Sequence, residues 1–135
     1  MAQTQLFRGN SSYSSDVLYT FDGKYIYKGR STYSSDILYS WDGKYVYKGR
    51  SSYNSDILYT WSGKHLYNGK SSYSSDIILT FDGTYIYRGN STYSSDILYT
   101  IHSGHVYRGK STYNSDILFS FNGVLPIPIL VMMMQ

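Results

Sequence analysis

Three histidines, nine aspartates and many serines are the residues of this chain that could carry acid–base, nucleophilic or metal chemistry. An active site is normally a unique constellation of side chains in a cleft. Each aspartate and serine here instead recurs in near-identical surroundings along the chain. The sequence therefore predicts no catalytic residue, no cofactor and a protein that is not an enzyme.

The histidines are the sparsest titratable residues, so we considered them as metal ligands. His65 and His105 occupy the same repeat position two units apart, which strand spacing translates into about 19 Å. That separation is too large for a shared metal ion. His102 and His105 flank one turn without a nearby carboxylate, and the chain has no cysteine. The sequence thus predicts no metal site.

Tyrosine dominates the aromatic residues, with 18 copies beside five Phe and two Trp. A tyrosine ring offers a large contact area with a polar tip, and rings beside carboxylates and hydroxyls suit saccharides. The candidate ligand surface for carbohydrate comprises Tyr25, Tyr33, Asp36, Tyr45, Tyr53, Asp56, Tyr85, Tyr93 and Asp96. The alternative is that tyrosine and leucine pack across strands to stiffen the sheet.

The 12 basic residues fall on three repeat positions, all on one face of the predicted sheet, which defines a second candidate surface. This candidate basic face comprises Lys28, Arg30, Trp41, Lys48, Arg50 and Trp61. A basic face with aromatic side chains is one way to hold single-stranded nucleic acid or an anionic glycan. The alternative is that the cationic stems cover apolar surface. A net charge of +3 argues against nucleic acid as the partner.

The elements that position these residues belong to a twenty-residue unit, FDGKYIYKGRSTYSSDILYS at residues 21–40, which occurs six times without insertion. Alternating apolar residues on both sides of Asp-Gly predict a β-hairpin with a two-residue type I′ turn. The unit reading Ile101-His102-Ser103-Gly104-His105 has its glycine one place late, which predicts a bulged loop. No helical periodicity is visible anywhere.

The predicted register places Phe21 opposite Lys24 and Tyr33 opposite Asp36, with 24–33 as one long strand bent or bulged at Gly29. Alternation then puts every basic residue on one face of the sheet, and the aspartate of Tyr-Ser-Ser-Asp on the other. In this register Lys28 lies between Val17 and Trp41, and Arg30 lies beside Tyr39, which predicts cation–π contacts.

The fold class predicted is all-β, with six hairpins in an antiparallel meander of about twelve strands that forms a strongly coiled sheet. A closed β-barrel and a β-solenoid are the alternatives; the solenoid would stack like charges from unit to unit. Stability is expected from cross-strand pairs more than from a central core. Deletion of one unit should then leave a folded protein, as in other linear repeats.

The C-terminal residues abandon the repeat and read Val124-Leu125-Pro126-Ile127-Pro128 followed by apolar residues and three methionines. Two prolines remove two ladder donors, which predicts a last strand at an open edge. The run is too short and too interrupted by proline to span a membrane. We expect it to cap the sheet or to mediate association between copies.

The predicted organisation is a single domain, with a half-repeat lead-in at 1–7, six repeats at 8–127 and an apolar tail at 128–135. The first ten residues lack the apolar stretch of a secretory signal, which predicts a cytoplasmic protein, with non-classical release as the alternative. The predicted function is multivalent carbohydrate binding. Self-association through the tail or an open edge, and polyanion binding by the basic face, are the alternatives.

Overall fold

The computed structural model describes residues 3–134; Met1, Ala2 and Gln135, at the ends of the predicted lead-in and tail, lie outside them. The described residues form twelve strands: β1 Thr4–Arg8, β2 Val17–Phe21, β3 Tyr25–Lys28, β4 Ile37–Trp41, β5 Tyr45–Lys48, β6 Ile57–Trp61, β7 His65–Asn68, β8 Ile77–Phe81, β9 Tyr85–Arg88, β10 Ile97–His102, β11 His105–Arg108 and β12 Ile117–Asn122. One helix follows, α1 Ile127–Met133. The all-β array of six hairpin repeats is confirmed.

The sheet closes into a barrel, because β1 pairs with both β2 and β12. Closure was the alternative to the open meander, and it replaces that arrangement. All neighbouring strands are antiparallel, which also excludes the solenoid. The lead-in residues from Thr4 onward thus supply the strand that completes the sixth unit.

The hairpin register differs from the predicted one by two residues, since Phe21 lies opposite Ile26 and not opposite Lys24. An even shift keeps Phe21 and Ile26 together on one face. The register shift in the adjoining pairing changes the face of other residues, since Ile37 lies opposite Tyr27 and Leu18 packs against the core. The face that carries Phe21 and Ile26 is the inside of the barrel, where both are buried. The face that carries Tyr25 and Tyr27 is the outside.

The Asp-Gly turns are not the predicted type I′ turns. In the first of them Gly23 has a φ of 103° but Lys24 does not have a positive φ. Asp22 Oδ1 instead accepts hydrogen bonds from the backbone amides of Lys24 and Tyr25 at 2.9 and 2.8 Å. The Asp22 amide also donates to the Tyr25 carbonyl oxygen at 3.2 Å, so the turn is centred on Gly23 and Lys24, one residue later than predicted. A centre one residue later moves each cross-strand partner by two residues.

The turn that the sequence predicted as bulged is the tight one. Ser103 and Gly104 have φ values of 51° and 80°, and His102 lies directly opposite His105. Positive φ at both central positions is what a type I′ turn requires.

The predicted long strand 24–33 is wrong, because β3 ends at Lys28 and Gly29 adopts a φ of 57°. The chain leaves the sheet there and reaches the next strand through a single 3₁₀ turn. The six turns are Ser14–Asp16, Ser34–Asp36, Asn54–Asp56, Ser74–Asp76, Ser94–Asp96 and Asn114–Asp116. In the adjoining pairing the register shifts between Ile26 and Tyr27.

The apolar tail fills the barrel, which corrects the prediction of an edge strand. Pro126 is the N-cap of α1 and Pro128 lies in its first turn, where a missing amide donor costs nothing. Ile129 and Leu130 are fully buried and belong to one core cluster with Leu6, Ile26 and Val46 of the strands. A central core is therefore present, contrary to the expectation that cross-strand pairs would dominate.

Candidate functional site

Shallow grooves lie on the outer face of the barrel, between one strand and a loop that folds back from a later strand. Two are lined by equivalent residues and enclose about 260 Å³ each. The first is lined by Lys44, Tyr45, Thr60, Lys70, Ser71, Ser72 and Tyr73, and the second by Tyr85, Thr100, Lys110, Ser111, Thr112 and Tyr113. The twenty-residue period thus repeats a site as well as a strand pair.

A buried threonine forms the floor of each groove. The hydroxyl of Thr60 donates to the carbonyl oxygen of Gly69 at 2.7 Å and accepts from the amide of Ser71 at 3.3 Å. Thr100 makes the same two hydrogen bonds, to Gly109 and from Ser111. These bonds hold the loop over the strand and determine the depth of the groove.

A serine and an aspartate shape the outer lip. Ser71 Oγ donates to Asp76 Oδ2 at 2.6 Å and accepts from the amide of Tyr73 at 3.1 Å. The same Ser–Asp bond recurs at 2.6 Å in all six units. The lip is therefore fixed, and it leaves the Tyr73 side chain 74% exposed.

The inner wall is an aromatic ring flanked by cations. Lys44 Nζ lies 5.2 Å from the centre of the Tyr45 ring, and Lys110 Nζ lies 5.9 Å from that of Tyr85. Lys24 makes the equivalent contact with Tyr25 at 5.1 Å. The cation–π contacts predicted for Lys28 and Arg30 do not form; Lys28 lies opposite Tyr19 at the end of its strand.

Closure of the barrel creates a related groove from the two ends of the chain. It encloses about 230 Å³ and is lined by Phe7, Asn10, Ser11, Ser12, Ser103, Gly104, His105, Ser120, Phe121 and Asn122. His105 takes the place of the wall tyrosine, and Asn10 takes the place of the lysine. The grooves with a tyrosine wall thus also contain a lysine, whereas the groove with a histidine wall contains an asparagine in its place.

The two wall histidines have a defined tautomer. Thr80 Oγ1 donates its proton to the carbonyl oxygen of Gly89, so it must accept from His65 Nδ1, which lies 3.1 Å away. His105 Nδ1 bonds Ser120 Oγ at 3.0 Å in the same way. The neutral imidazole therefore keeps Nε2 as an acceptor. Burial, and then the charge of Lys64, lower the pKa of His65 below its ordinary value.

The turn aspartates are structural. Burial alone would raise the pKa of Asp22, but hydrogen bonds from two backbone amides and from Tyr27 Oη outweigh it and lower that pKa below its usual value. The same holds for Asp42 and Asp82. Burial and the bond to Asp22 raise the pKa of Tyr27 to about 12. These side chains stabilise the turn.

The structure divides the candidate ligand surface. Tyr45 and Tyr85 line grooves, Tyr25 occupies the equivalent place, and Tyr33, Tyr53 and Tyr93 are exposed at the lips. Asp36, Asp56 and Asp96 accept from the lip serines and so support the loop. Sequence reasoning missed the floor threonines and Lys70 and Lys110. A small polar residue recurring inside an apolar strand was the available signal.

The candidate basic face is not one surface. Trp41 is buried inside the barrel and Trp61 packs against the same core, whereas Lys28 and Lys48 lie exposed at strand ends. Arg30 and Arg50 occupy the repeat position of Lys70 and Lys110, at the grooves. The prediction failed because the inner face of a closed barrel is covered by α1.

Among residues 3–134, no group of three or more histidine or acidic side chains is placed to hold a metal ion. Within the same range, no helix has both the length and the apolar character needed to cross a membrane.

Comparison with known proteins places these features in a family. Neither a curated protein nor a solved structure matches the chain significantly. A family model described as 6-fold beta flower protein matches residues 4–130, which span all twelve strands and the first half of α1. The chain therefore belongs to the 6-fold beta flower protein family.

Proposed function

We propose that this protein is a non-enzymatic, multivalent carbohydrate-binding protein whose sites are the grooves between neighbouring repeat units. The observation that carries the proposal is the recurrence of one lining, an aromatic wall, a hydroxyl floor, a cation and a Ser-Tyr lip, in the Tyr45 and Tyr85 grooves. Tyrosine supplies rigid contact area and serine supplies adaptable hydrogen bonds. Together they match the apolar face and hydroxyl edge of a sugar ring.

The size of the grooves supports a small ligand unit. A volume of about 260 Å³ is below the range of roughly 300–1,000 Å³ that holds drug-sized molecules. One such groove would take a single sugar ring and bind it weakly. Several grooves around one barrel would bind a branched or repeating glycan with an avidity about 10²–10⁴ times higher.

Self-association is less well supported than carbohydrate binding. The tail that could have mediated it is buried in the barrel, and β1 and β12, the outermost strands of the chain, pair with each other. The contacts available to a second copy are thus the same grooves and lips that we assign to saccharide.

A glycan array followed by calorimetric titration tests the proposal. Replacing both wall tyrosines, Tyr45→Gln and Tyr85→Gln, copies the residue that the chain already carries at Gln5. Since an aromatic contact contributes about 1 kcal/mol, each groove should bind about fivefold more weakly. Val124→Ala, at an 85% exposed position away from the grooves, is the control. No glycan bound at millimolar concentration, or unchanged affinity in the double variant, would refute the proposal.

A further inference from the structure

The groove at Tyr45 continues into a larger cavity, which the Tyr85 groove does not share. This cavity, which we call the Trp61 cavity, encloses about 640 Å³ and shares Lys44, Thr60, Ser71 and Ser72 with the groove. Its further lining residues are Gly43, Trp61, Ser62, Gly63 and Tyr67. The volume falls within the range that encloses most of a small organic ligand.

The Trp61 cavity lies beside a turn that lacks the aspartate. Ser62 stands where three other turns have Asp22, Asp42 and Asp82, and where the remaining two have His102 and Asn122. In those turns the second carboxylate oxygen accepts from a tyrosine hydroxyl at 2.7 Å and draws that tyrosine into a buried position. Ser62 has no second oxygen to offer, and Tyr67 is only half-buried. Tyr107, whose turn carries His102, is buried without such a bond, so the half-buried tyrosine is particular to this unit.

Trp61 adds an aromatic surface at the same place. Trp41, at the equivalent position one unit earlier, is 9% exposed and faces the core, whereas Trp61 is partly exposed and lines the cavity. Trp61 and Tyr67 thus present apolar ring surface to whatever occupies this space.

The charge around the Trp61 cavity is positive. Lys44 and Lys70 line the continuous groove, and Ser62 replaces a carboxylate. Two acids lie next to the lining. The oxygens of Asp42 are engaged by the amides of Lys44 and Tyr45 and by Tyr47 Oη, and Asp76 Oδ2 accepts from the Ser71 hydroxyl. An anionic group would therefore meet two lysines without an opposing carboxylate in the lining.

We infer that the Trp61 cavity, continuous with the Tyr45 groove, binds an acidic saccharide, with a sugar ring on Trp61 and its carboxylate or sulfate between Lys44 and Lys70. This inference rests on the proposed carbohydrate-binding function and names the ligand class at one of its sites. A single pair of exposed lysines fits one acidic group, whereas a nucleic acid would need a basic track that follows its backbone.

Tryptophan fluorescence tests the inference directly, because Trp41 is buried and Trp61 lines the cavity. The probes are a short hexuronate oligosaccharide, a sulfated oligosaccharide, the neutral oligosaccharide of the same length, sodium sulfate and an oligonucleotide. We expect a saturable change with one or both acidic oligosaccharides, at least about fivefold tighter than with the neutral one. The arm that binds identifies carboxylate or sulfate as the acidic group.

Three variants borrow residues from other units, so each keeps the fold. Ser62→Asp restores the turn acid, Lys70→Asn copies Asn90, and Lys44→Thr copies Thr84. Lys70→Asn and Lys44→Thr should each weaken the acidic oligosaccharide about fivefold and leave the neutral one unchanged. Ser62→Asp should weaken both oligosaccharides, because an aspartate in this turn would draw Tyr67 over the cavity. Val124→Ala, at an exposed position that lines none of these grooves, should have no effect on the fluorescence titration.

The outcomes separate this inference from the proposed function. Equal affinity for neutral and acidic oligosaccharides, or unchanged binding in the Ser62→Asp and Lys70→Asn variants, overturns the inference and leaves carbohydrate binding in place. Binding of the oligonucleotide in preference to the saccharides, or of sulfate alone as tightly as the sulfated sugar, also overturns it. No saccharide bound by any groove overturns both.

Discussion

Leu130 in helix α1 provides the sharpest test of the barrel interior. Its side chain is fully buried within a core cluster to which Ile26 and Val46 contribute from the strands. Leu→Ala at a fully buried position removes about 2–5 kcal/mol, the sum of lost transfer free energy and the cavity left behind. Because α1 is enclosed by strands on every side, the barrel has little freedom to collapse around that cavity. We therefore expect about 3 kcal/mol, a large share of the roughly 5–15 kcal/mol that stabilises a typical domain.

Urea unfolding followed by tryptophan fluorescence measures this loss, since Trp41 and Trp61 contact the same cluster. The variant Leu130→Ala should lower the midpoint with an unchanged slope, which indicates lost stability without a change in the surface exposed. Val124→Ala, at an 85% exposed position just before α1, should stay within about 0.5 kcal/mol of the wild type. A loss below about 0.5 kcal/mol for Leu130→Ala would show that α1 is not part of the core.

Three further predictions follow from closure and from the turn carboxylates. Deleting the unit 41–60 should abolish cooperative unfolding, because a five-unit ring is too narrow to enclose α1; a folded monomer by circular dichroism and sedimentation would contradict closure. Asp42→Ser should cost about 1–3 kcal/mol at pH 7 through its charged hydrogen bonds. Because the pKa of Asp42 is lowered from 3.8 on folding, the difference from wild type should shrink in urea unfolding as the pH falls below that value; a difference independent of pH would contradict it. Folding raises the pKa of Tyr27, Tyr47 and Tyr87 from 10.0 to about 12. Their contribution to the free energy of unfolding should therefore be constant below pH 10 and should be lost as the pH rises towards 12. Replacing all three by Phe should flatten that alkaline decline, and an unchanged decline would assign it to other groups.

The repeat and its two-sidedness could be predicted from the sequence because both depend on local alternation. The register could not, because the turn is centred one residue later than Asp-Gly suggests, with Asp22 bonded to Tyr25. That error of two residues kept Phe21 and Ile26 on one face. The length of β3 was overestimated because Gly29 is read equally as a bend within a strand or as its end. Only the φ of 57° decides between the two.

Closure and the central helix depend on contacts that no local pattern reports. Gln5 meets Asn122 across the seam, 117 residues apart in the chain. Pro126 and Pro128 interrupt a strand, but they are equally acceptable at the start of a helix. A helix of seven residues is not stable alone, so its formation follows from enclosure by the barrel.

Only part of the candidate site could be predicted from the sequence, because the rest depends on contacts between separate strands and loops. The wall tyrosines were predicted because they recur at one strand position and face outward. The floor threonines and the lysines of the lip loop approach them only because that loop folds back onto the preceding strand through the Ser71 amide and Thr60 hydroxyl. The lip aspartates, assigned to ligand, are occupied by serine hydroxyls within their own loops.

The measurement that most directly tests the central claim is a titration of the ¹⁵N-labelled protein with the saccharide selected by the array, followed by amide chemical shifts. The account predicts concentration-dependent shifts at Thr60, Ser71, Thr100 and Ser111, which line the grooves, and none at Leu130 in the core. The absence of shifts at millimolar saccharide, or shifts confined to residues outside the grooves, would contradict it.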